Sequence, residues 1–275
     1  MANRNSNKTA GWLTRIQLPE YLALLGVIIY FVQAIVYAHI RLPNLDEGSY
    51  LYKGYLLATG LYKPFQPYGF WINKMYLSFF MWGWVQAVFQ PGLLAPRYVA
   101  VFLSLLSLLG LWIVSRRIGN NWLAAIAVWT LALNPTLISI YSTARSEVLI
   151  ICILTWVLVL SLGAQKPTWQ IIASAILAGV MILTRENMVF IFPLLIIYIF
   201  WQHGRKQGFL ALSAIIIVLV LGHIIYWPGI MYLWERWLPG NLLSLLGLNT
   251  RPDIGTSAVA LVPNLSLTSL SLIHI

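Results

Sequence analysis

The chain has 275 residues, of which 60% are hydrophobic and only 9% are charged, and its mean hydropathy is +0.81. Soluble domains carry about 25% charged residues, so this composition excludes a soluble globular domain and predicts a polytopic membrane protein. The formal net charge of +10 is interpreted as lysines and arginines at the cytoplasmic ends of helices, rather than as a surface that binds nucleic acid.

Apolar runs bounded by charges, proline or glycine predict the membrane helices in chain order. A helix is the only plausible structure, because backbone groups in lipid need partners within the segment and the runs lack strand-like alternation. The runs lie near residues 21–40, 71–90, 97–115, 121–141, 147–163, 169–183, 188–202 and 208–227. The predicted fold class is therefore all-α, with about seven or eight hydrophobic helices. The first run is long for a signal peptide, which favours an uncleaved helix.

Two kinds of charged cluster separate these runs. Clusters without an acid predict cytoplasmic ends; they are the N-terminal segment, Arg116/Arg117, Lys166 and Arg205/Lys206. Clusters that contain an acid are predicted to share the opposite, outer face; they are Asp46/Glu47, Arg145/Glu147, Arg185/Glu186 and Glu235/Arg236. From Arg116 onward the two kinds alternate, one helix apart, and this alternation carries the prediction.

The number of crossings constrains the run 71–90. The N-terminus and Arg116 can both be cytoplasmic only if an even number of helices crosses the membrane between them. Three apolar runs lie there, and 71–90 is rich in Trp and Phe, which prefer the interface. We therefore expect 71–90 to be a juxtamembrane or re-entrant helix of the outer loop. The alternative, in which Arg116 and Arg117 face outward, would scatter the acid-containing clusters over both faces.

These expectations divide the chain into three regions. Residues 1–20 are a cytoplasmic N-terminus, and residues 21–227 form the transmembrane domain, with an outer loop at 41–74. Residues 228–275 form an outer loop or irregular tail. Because residues 250–275 look unlike the natural end of a membrane bundle, the sequence predicts a C-terminal truncation.

Asp46 and Glu47 are the first candidates for chemistry, since the whole chain holds seven acidic residues. One interpretation is helix capping: Asn44 and Glu47 form a loose capping box, and acids in a first turn complement the helix dipole. The segment Glu47–Thr59 then forms a short amphipathic helix that Gly60 stops. The other interpretation is a carboxylate general base near the membrane surface.

The second and third acid-containing clusters also permit two interpretations. Arg145 with Glu147 opens a helix, which suits either an ordinary membrane boundary or an anion-binding arginine beside an orienting acid. Arg185 and Glu186 lie between two apolar runs, where a charge costs roughly 2.5–3.5 kcal/mol and is a functional candidate by default. The alternative for that pair is a tight interhelical turn.

The outer loop adds cationic and aromatic candidates. Lys63, Tyr68 and Lys74 could contact a lipid phosphate or its sugar, because lysines on an outer face run against the positive-inside trend. The four histidines do not pair at zinc-ligand spacing, and there is no phosphate-binding glycine-rich loop. The acid pairs do not form a complete ligand set for a divalent metal, so metal dependence stays open. No cofactor is otherwise predicted.

Three stretches together resemble a known family. They are LDEGSYLYKGYLLATGLYKPFQPYGFW, RRIGNNWLAAIAVWTLALNPTLISIYSTARSEVL and GVMILTRENMVFIFPLLI. Their order and spacing resemble the C-type (GT-C) glycosyltransferases, and most closely family 39, which includes protein O-mannosyltransferases and bacterial lipid A aminoarabinose transferases. The resemblance covers roughly residues 20 to 235.

This resemblance implies an inverting transfer of a sugar from a polyprenyl-phosphate carrier to a glycan, lipid or protein acceptor. It places the site on the periplasmic face of a bacterial inner membrane. Asp46 would be the general base with Glu47 beside it, and the arginines of the later clusters would bind the lipid phosphate. The Glu-Lys-Pro-Pro signature of the aminoarabinose transferases is absent, which argues against that substrate.

Two other functions remain open from the sequence. A transporter or flippase for a lipid-linked sugar would use the Arg/Glu pairs as a translocation path, with charges along a midplane cavity. An inactive, truncated scaffold derived from such an enzyme is the other alternative. Membrane lipids are expected partners in every case, and nucleic acid is not.

Overall fold

The computed structural model describes residues 18–65, 75–164 and 166–234, and every regular element in these ranges is helical. The all-α prediction is confirmed. In chain order the elements are α1 (Leu18–Ile40), α2 (Leu45–Ala58), α3 (Leu77–Phe89), α4 (Leu94–Ile118), α5 (Asn121–Ala132), α6 (Pro135–Tyr141), α7 (Ser146–Ser161), α8 (Thr168–Thr184), a 3-10 segment (Glu186–Phe190), α9 (Ile191–His203), α10 (Arg205–Ile225) and α11 (Met231–Trp234). The predicted tail from 235 onward and most of the N-terminal segment lie outside the described residues.

Several helices have the length and composition of membrane spans. They are α1, α4, the 3-10 segment continued by α9, and α10, with the bent pair α5 and α6 as a further candidate. Long apolar side chains such as Ile28 and Val32 on α1 and Ile217 and Ile224 on α10 remain exposed. Soluble proteins rarely expose such continuous apolar faces, so these faces point towards lipid. The polytopic membrane prediction is confirmed.

The predicted run 121–141 is not one helix. It is split into α5 and α6, which meet at a bend of 77°. Pro135 lacks an N–H and forces the residue before it out of the helical region, and Asn134 accordingly has φ −103° and ψ 97°. The Gln33 side chain of α1 donates to the Ala132 carbonyl at 3.1 Å, so a neighbouring helix satisfies a carbonyl at the break, as a membrane interior requires.

Helices α1 and α4 run antiparallel along their whole length. At one end the Arg97 guanidinium of α4 donates to the Ala38 and Arg41 carbonyls, at 2.8 Å each. At the other end Arg116 of α4 pairs with Glu20 of α1 at 3.0 Å. The segment that connects α1 to α4 therefore begins and ends at the end of the bundle that holds Arg97. An even number of membrane crossings between the N-terminus and Arg116 requires this arrangement. In agreement with it, α3 has 13 residues and is shorter than the roughly 20 residues of a span.

The bundle has two ends of different charge. At the acidic end, which holds Asp46, Glu47, Glu147 and Glu186, Tyr50 of α2 bonds to Ser146 of α7 and Glu147 bonds to Arg185. At the basic end, which holds Arg116, Arg117, Lys166, Arg205 and Lys206, contacts from Arg117 and His203 reach the last carbonyls of α7. The structure thus segregates the two kinds of cluster as their alternation in the sequence predicts.

Helices α2 and α3 are locked together by two glycines. A Cβ added at Gly54 would overlap the Phe79 carbonyl and lie 2.8 Å from the Gly83 nitrogen, and one added at Gly83 would overlap the Gly54 carbonyl. Gln86 of α3 also donates to the Leu51 carbonyl of α2 at 2.7 Å, in buried surroundings. Only glycine lets the two backbones approach this closely, and the approach fixes where α2 lies.

Replacement of Gly54 by alanine should force α2 and α3 apart. We expect a loss of about 1–3 kcal/mol in the free energy of unfolding, or more, because the new methyl group meets backbone rather than a flexible side chain. Unfolding of the detergent-solubilised chain by denaturant measures this. Gly48→Ala in the same helix is the matched control: nothing lies within 4 Å of its added Cβ, so that variant should be neutral or slightly stabilised. Equal midpoints for the two variants would contradict the close approach.

Candidate active site

The site begins at the N-terminus of α2. Asn44 caps the helix, and its side-chain oxygen accepts from the Glu47 N–H at 2.8 Å, which satisfies one donor of the first turn. The short helix predicted after the acid pair is confirmed. Only half of the predicted capping box forms, because the Glu47 carboxylate turns towards other partners. Asp46 is exposed, whereas Glu47 is fully buried.

Glu47 makes a bidentate ion pair with Arg97 of α4. Arg97 Nε donates to Glu47 Oε1 at 2.8 Å, and Nη2 donates to Oε2 at 2.7 Å. The side chains are 2% and 0% exposed. Since Nη1 of Arg97 donates to the carbonyls of Ala38 in α1 and of Arg41 just after it, each guanidinium nitrogen donates, and one buried pair connects α1, α2 and α4.

Glu47 also reaches the second acid-containing cluster. Its Oε1 accepts from the Ala144 N–H at 3.2 Å in buried surroundings, across 97 positions of the chain. Asp46 precedes Glu47, and Arg145 follows Ala144, so this bond brings the first and second predicted clusters side by side. Sequence reasoning placed them on one face, and the hydrogen bond joins them directly.

Arg145 lies at the acidic end and has no carboxylate bound to it in the described residues. It lies just before α7 in extended backbone. Its side chain is partly buried, and its Nε is buried without a hydrogen-bond partner among the described atoms. A buried donor without an acceptor is costly, so this guanidinium is suited to an anionic ligand.

A hydrogen-bonded chain connects α2 with the third cluster. Tyr50 Oη and Ser146 Oγ lie 2.8 Å apart, Ser146 Oγ donates to Glu147 Oε2 at 3.3 Å, and Arg185 Nη1 donates to Glu147 Oε1 at 2.8 Å. The Arg185 and Glu147 side chains are 38% and 39% exposed, so the ion pair is open to solvent and to a ligand. Glu147 of the second predicted cluster and Arg185 of the third therefore form one ion pair.

The remaining predicted residues lie around this centre. Glu186 begins the 3-10 segment and is partly buried. Lys63 is exposed in the loop after α2 and has contacts of its own. Tyr68 and Lys74 lie outside the described residues. Within the described ranges no three His, Cys, Asp or Glu side chains gather as metal ligands do.

Three residues that sequence reasoning overlooked hold the site together. Arg97 stands at the start of the apolar run 97–115, and a charge next to a membrane span requires a partner if it is buried; this signal could have identified it as the partner of a buried acid. Tyr50 and Ser146 gave no comparable signal, because tyrosine and serine are ordinary at a membrane boundary. Their role depends on the packing of α2 against α7.

Replacement of Arg97 by methionine should destabilise the chain by about 3–5 kcal/mol, because the Glu47 carboxylate would stay buried without a partner. The denaturant midpoint of the purified chain measures the loss. Arg116→Met is the control in the same helix, since its pair with Glu20 is partly exposed and should be worth less than about 1 kcal/mol. The double variant Glu47→Leu/Arg97→Met should recover part of the loss. An Arg97→Met variant with the wild-type midpoint would show that the pair does not anchor α2.

The comparisons with known proteins agree with this geometry. The family model described as dolichyl-phosphate-mannose-protein mannosyltransferase matches residues 73–232, which is more than half of the chain. The match contains Arg97, Arg145, Glu147 and Arg185 and begins after Asp46 and Glu47. No curated protein and no solved structure matches the chain. The chain belongs to the dolichyl-phosphate-mannose-protein mannosyltransferase family and is accordingly a membrane glycosyltransferase that uses a lipid-linked sugar donor.

Proposed function

We propose that the acidic end is the active site of an inverting transferase. It moves a sugar from a polyprenyl-phosphate carrier to a glycan, lipid or protein acceptor at the periplasmic face of a bacterial inner membrane. Asp46 is the general base in this proposal, and Arg145 and Arg185 hold the carrier phosphate. The family supports the lipid-linked donor, and the base, the stereochemistry and the orientation are our inferences.

The observation that carries the proposal is the hydrogen bond from the Ala144 N–H to Glu47. It joins the residue after Asp46, which is an exposed carboxylate, to the residue before Arg145, which forms no ion pair within the described ranges. A glycosyl transfer from a phosphate carrier needs a proton acceptor near the attacking hydroxyl and a cation near the leaving phosphate. Separate segments of the chain supply these two groups, and the bond holds the two segments together.

In the proposed reaction, Asp46 accepts the proton of the acceptor hydroxyl as that oxygen attacks the anomeric carbon. The bond between this carbon and the phosphate oxygen breaks, and the departing phosphate keeps the electron pair. Attack opposite the leaving group inverts the anomeric centre. Arg145 and Arg185 donate to the phosphate oxygens as negative charge develops, which stabilises the transition state more than the ground state.

Glu47 has a different part in the proposal from that of Asp46. The sequence prediction grouped both as catalytic, but both Glu47 oxygens accept from Arg97. We infer that Glu47 positions the start of α2 and leaves proton transfer to Asp46. Glu147 likewise orients Arg185 through their 2.8 Å bond. Lys63 and Glu186 are proposed to contact the sugar or the acceptor, together with Tyr68 and Lys74.

The distribution of charge favours a transferase over a transporter. A transporter of a lipid-linked sugar would need charged groups along a cavity at the midplane. In the described residues every Asp, Glu, Lys and Arg except Lys53 lies at or near a helix end or in a connection, and Lys53 belongs to the short helix α2 that begins at the acidic end. The middle of the bundle instead holds apolar and small side chains such as Ala34, Val128 and Ala175.

Replacement of Asp46 by asparagine should lower turnover by about 10²–10⁴-fold, the range for loss of a general base, without a change in the unfolding midpoint. The assay supplies membranes that contain the chain with radiolabelled polyprenyl-phosphate sugars, beginning with mannose, and follows release of the free lipid phosphate. Glu20→Gln, at the basic end, is the matched control and should retain wild-type turnover. Wild-type turnover by Asp46→Asn would exclude Asp46 as the base.

The proposed orientation can be tested with single cysteines in a Cys152→Ser background. Thr59 at the acidic end and Gln202 near the basic end are both exposed. In intact bacterial cells made permeable only at the outer membrane, an impermeant maleimide should label Thr59→Cys and should not label Gln202→Cys. Lysis should make both accessible. The reverse pattern in intact cells would place the acidic end in the cytoplasm and overturn the periplasmic assignment.

A further inference from the structure

A second charged feature lies at the basic end, remote from the proposed active site. Arg117 of α4 and Lys166 both donate to the Val159 carbonyl near the end of α7, Lys166 at 3.2 Å. His203 at the end of α9 lies 2.9 Å from the Ser161 carbonyl. Two cations and an imidazole, from three segments, therefore converge on the C-terminus of one helix, whose dipole favours positive charge there.

These cations greatly exceed the acids around them. The basic end carries Arg116, Arg117, Lys166, Arg205 and Lys206, and the carboxylate that the described part of the chain places there is Glu20, which pairs with Arg116. The side chains of Arg117, Arg205 and Lys206 are exposed. Burial and the neighbouring Arg117 lower the pKa of Lys166.

Exposed tryptophans mark the level of the basic end in the bilayer. Trp122 and Trp169 occupy the second positions of α5 and α8, and Trp201 lies three residues before Gly204 at the end of α9. The amphipathic indole ring prefers the headgroup level of a membrane. Arg116 also lies over the Trp112 ring, 5.2 Å from its centroid. The cations therefore lie at the depth of lipid phosphates.

We propose that the basic end binds the headgroups of acidic phospholipids, with Arg117, Lys166, Arg205 and Lys206 as the phosphate donors. Charge complementarity specifies this occupant: exposed cations of α4 and α10, with the partly buried Lys166 of the connection before α8, meet the anionic phosphates of the adjacent leaflet. The proposal does not rest on the proposed function, because it concerns the opposite end of the bundle and its readout is lipid binding.

The test measures lipid binding to the purified full chain by native mass spectrometry. Dioleoyl phosphatidylglycerol should bind more tightly than dioleoyl phosphatidylcholine, and affinity should fall about fivefold for each basic-end charge removed, as expected near an anionic surface. Arg117→Gln/Lys166→Gln and Arg205→Gln/Lys206→Gln are the two variants. The second pair leaves the α7 contacts intact, so it decides the question even if the first variant fails to fold.

Arg41→Gln removes an exposed charge at the acidic end; it is the control and should bind phosphatidylglycerol as the wild type does. Equal affinity for the two lipids would overturn the proposal, and so would an equal loss in the control. Displacement of the lipid by inorganic phosphate at similar concentration would also overturn it, since the ligand would then be a free anion.

Discussion

The buried ion pair of Glu47 and Arg97 is the interaction on which the rest of this structure depends. Removing two charges from water is costly, and such a pair is stable only when its geometry and its remaining hydrogen bonds are nearly complete. Here the pair is bidentate, and the third guanidinium nitrogen donates to one carbonyl of α1 and to that of Arg41 just after it. The Ala144 N–H donates a further hydrogen bond to the carboxylate. It therefore fixes α1, α2, α4 and the connection before α7 relative to one another.

The packing of α2 follows from this anchor. One end of the helix is held by the ion pair and the other part by the approach of Gly54 to Gly83. These constraints leave Asp46 exposed at the helix start while its neighbour Glu47 is buried. Two adjacent carboxylates thus acquire different environments, and this difference underlies the separate roles that we propose for them.

The site and the bundle use polar groups in different ways. At the acidic end, Tyr50, Ser146, Glu147 and Arg185 form a bonded chain that is partly open to solvent. Deeper in the bundle, polar side chains instead bind backbone carbonyls at helix breaks, as Gln33 does for Ala132 near Pro135. Pro135 also shows the limit of a prediction from hydropathy. The apolar run 121–141 predicts one helix, but the geometry of proline divides it into α5 and α6.

The sequence by itself determined the helical membrane class, the approximate helix positions and the common face of the acid-containing clusters, because lipid permits few structures and charge marks the helix ends. It also indicated Asp46, Glu47, Arg145, Glu147 and Arg185 as candidates. Only the tertiary structure decided the pairing: Glu47 bonds to Arg97, Glu147 bonds to Arg185, and Arg145 forms no ion pair with any acid that the structure describes. Those partners lie 50 and 38 positions apart, and which charges meet over such separations depends on how the helices pack, which local sequence patterns do not encode.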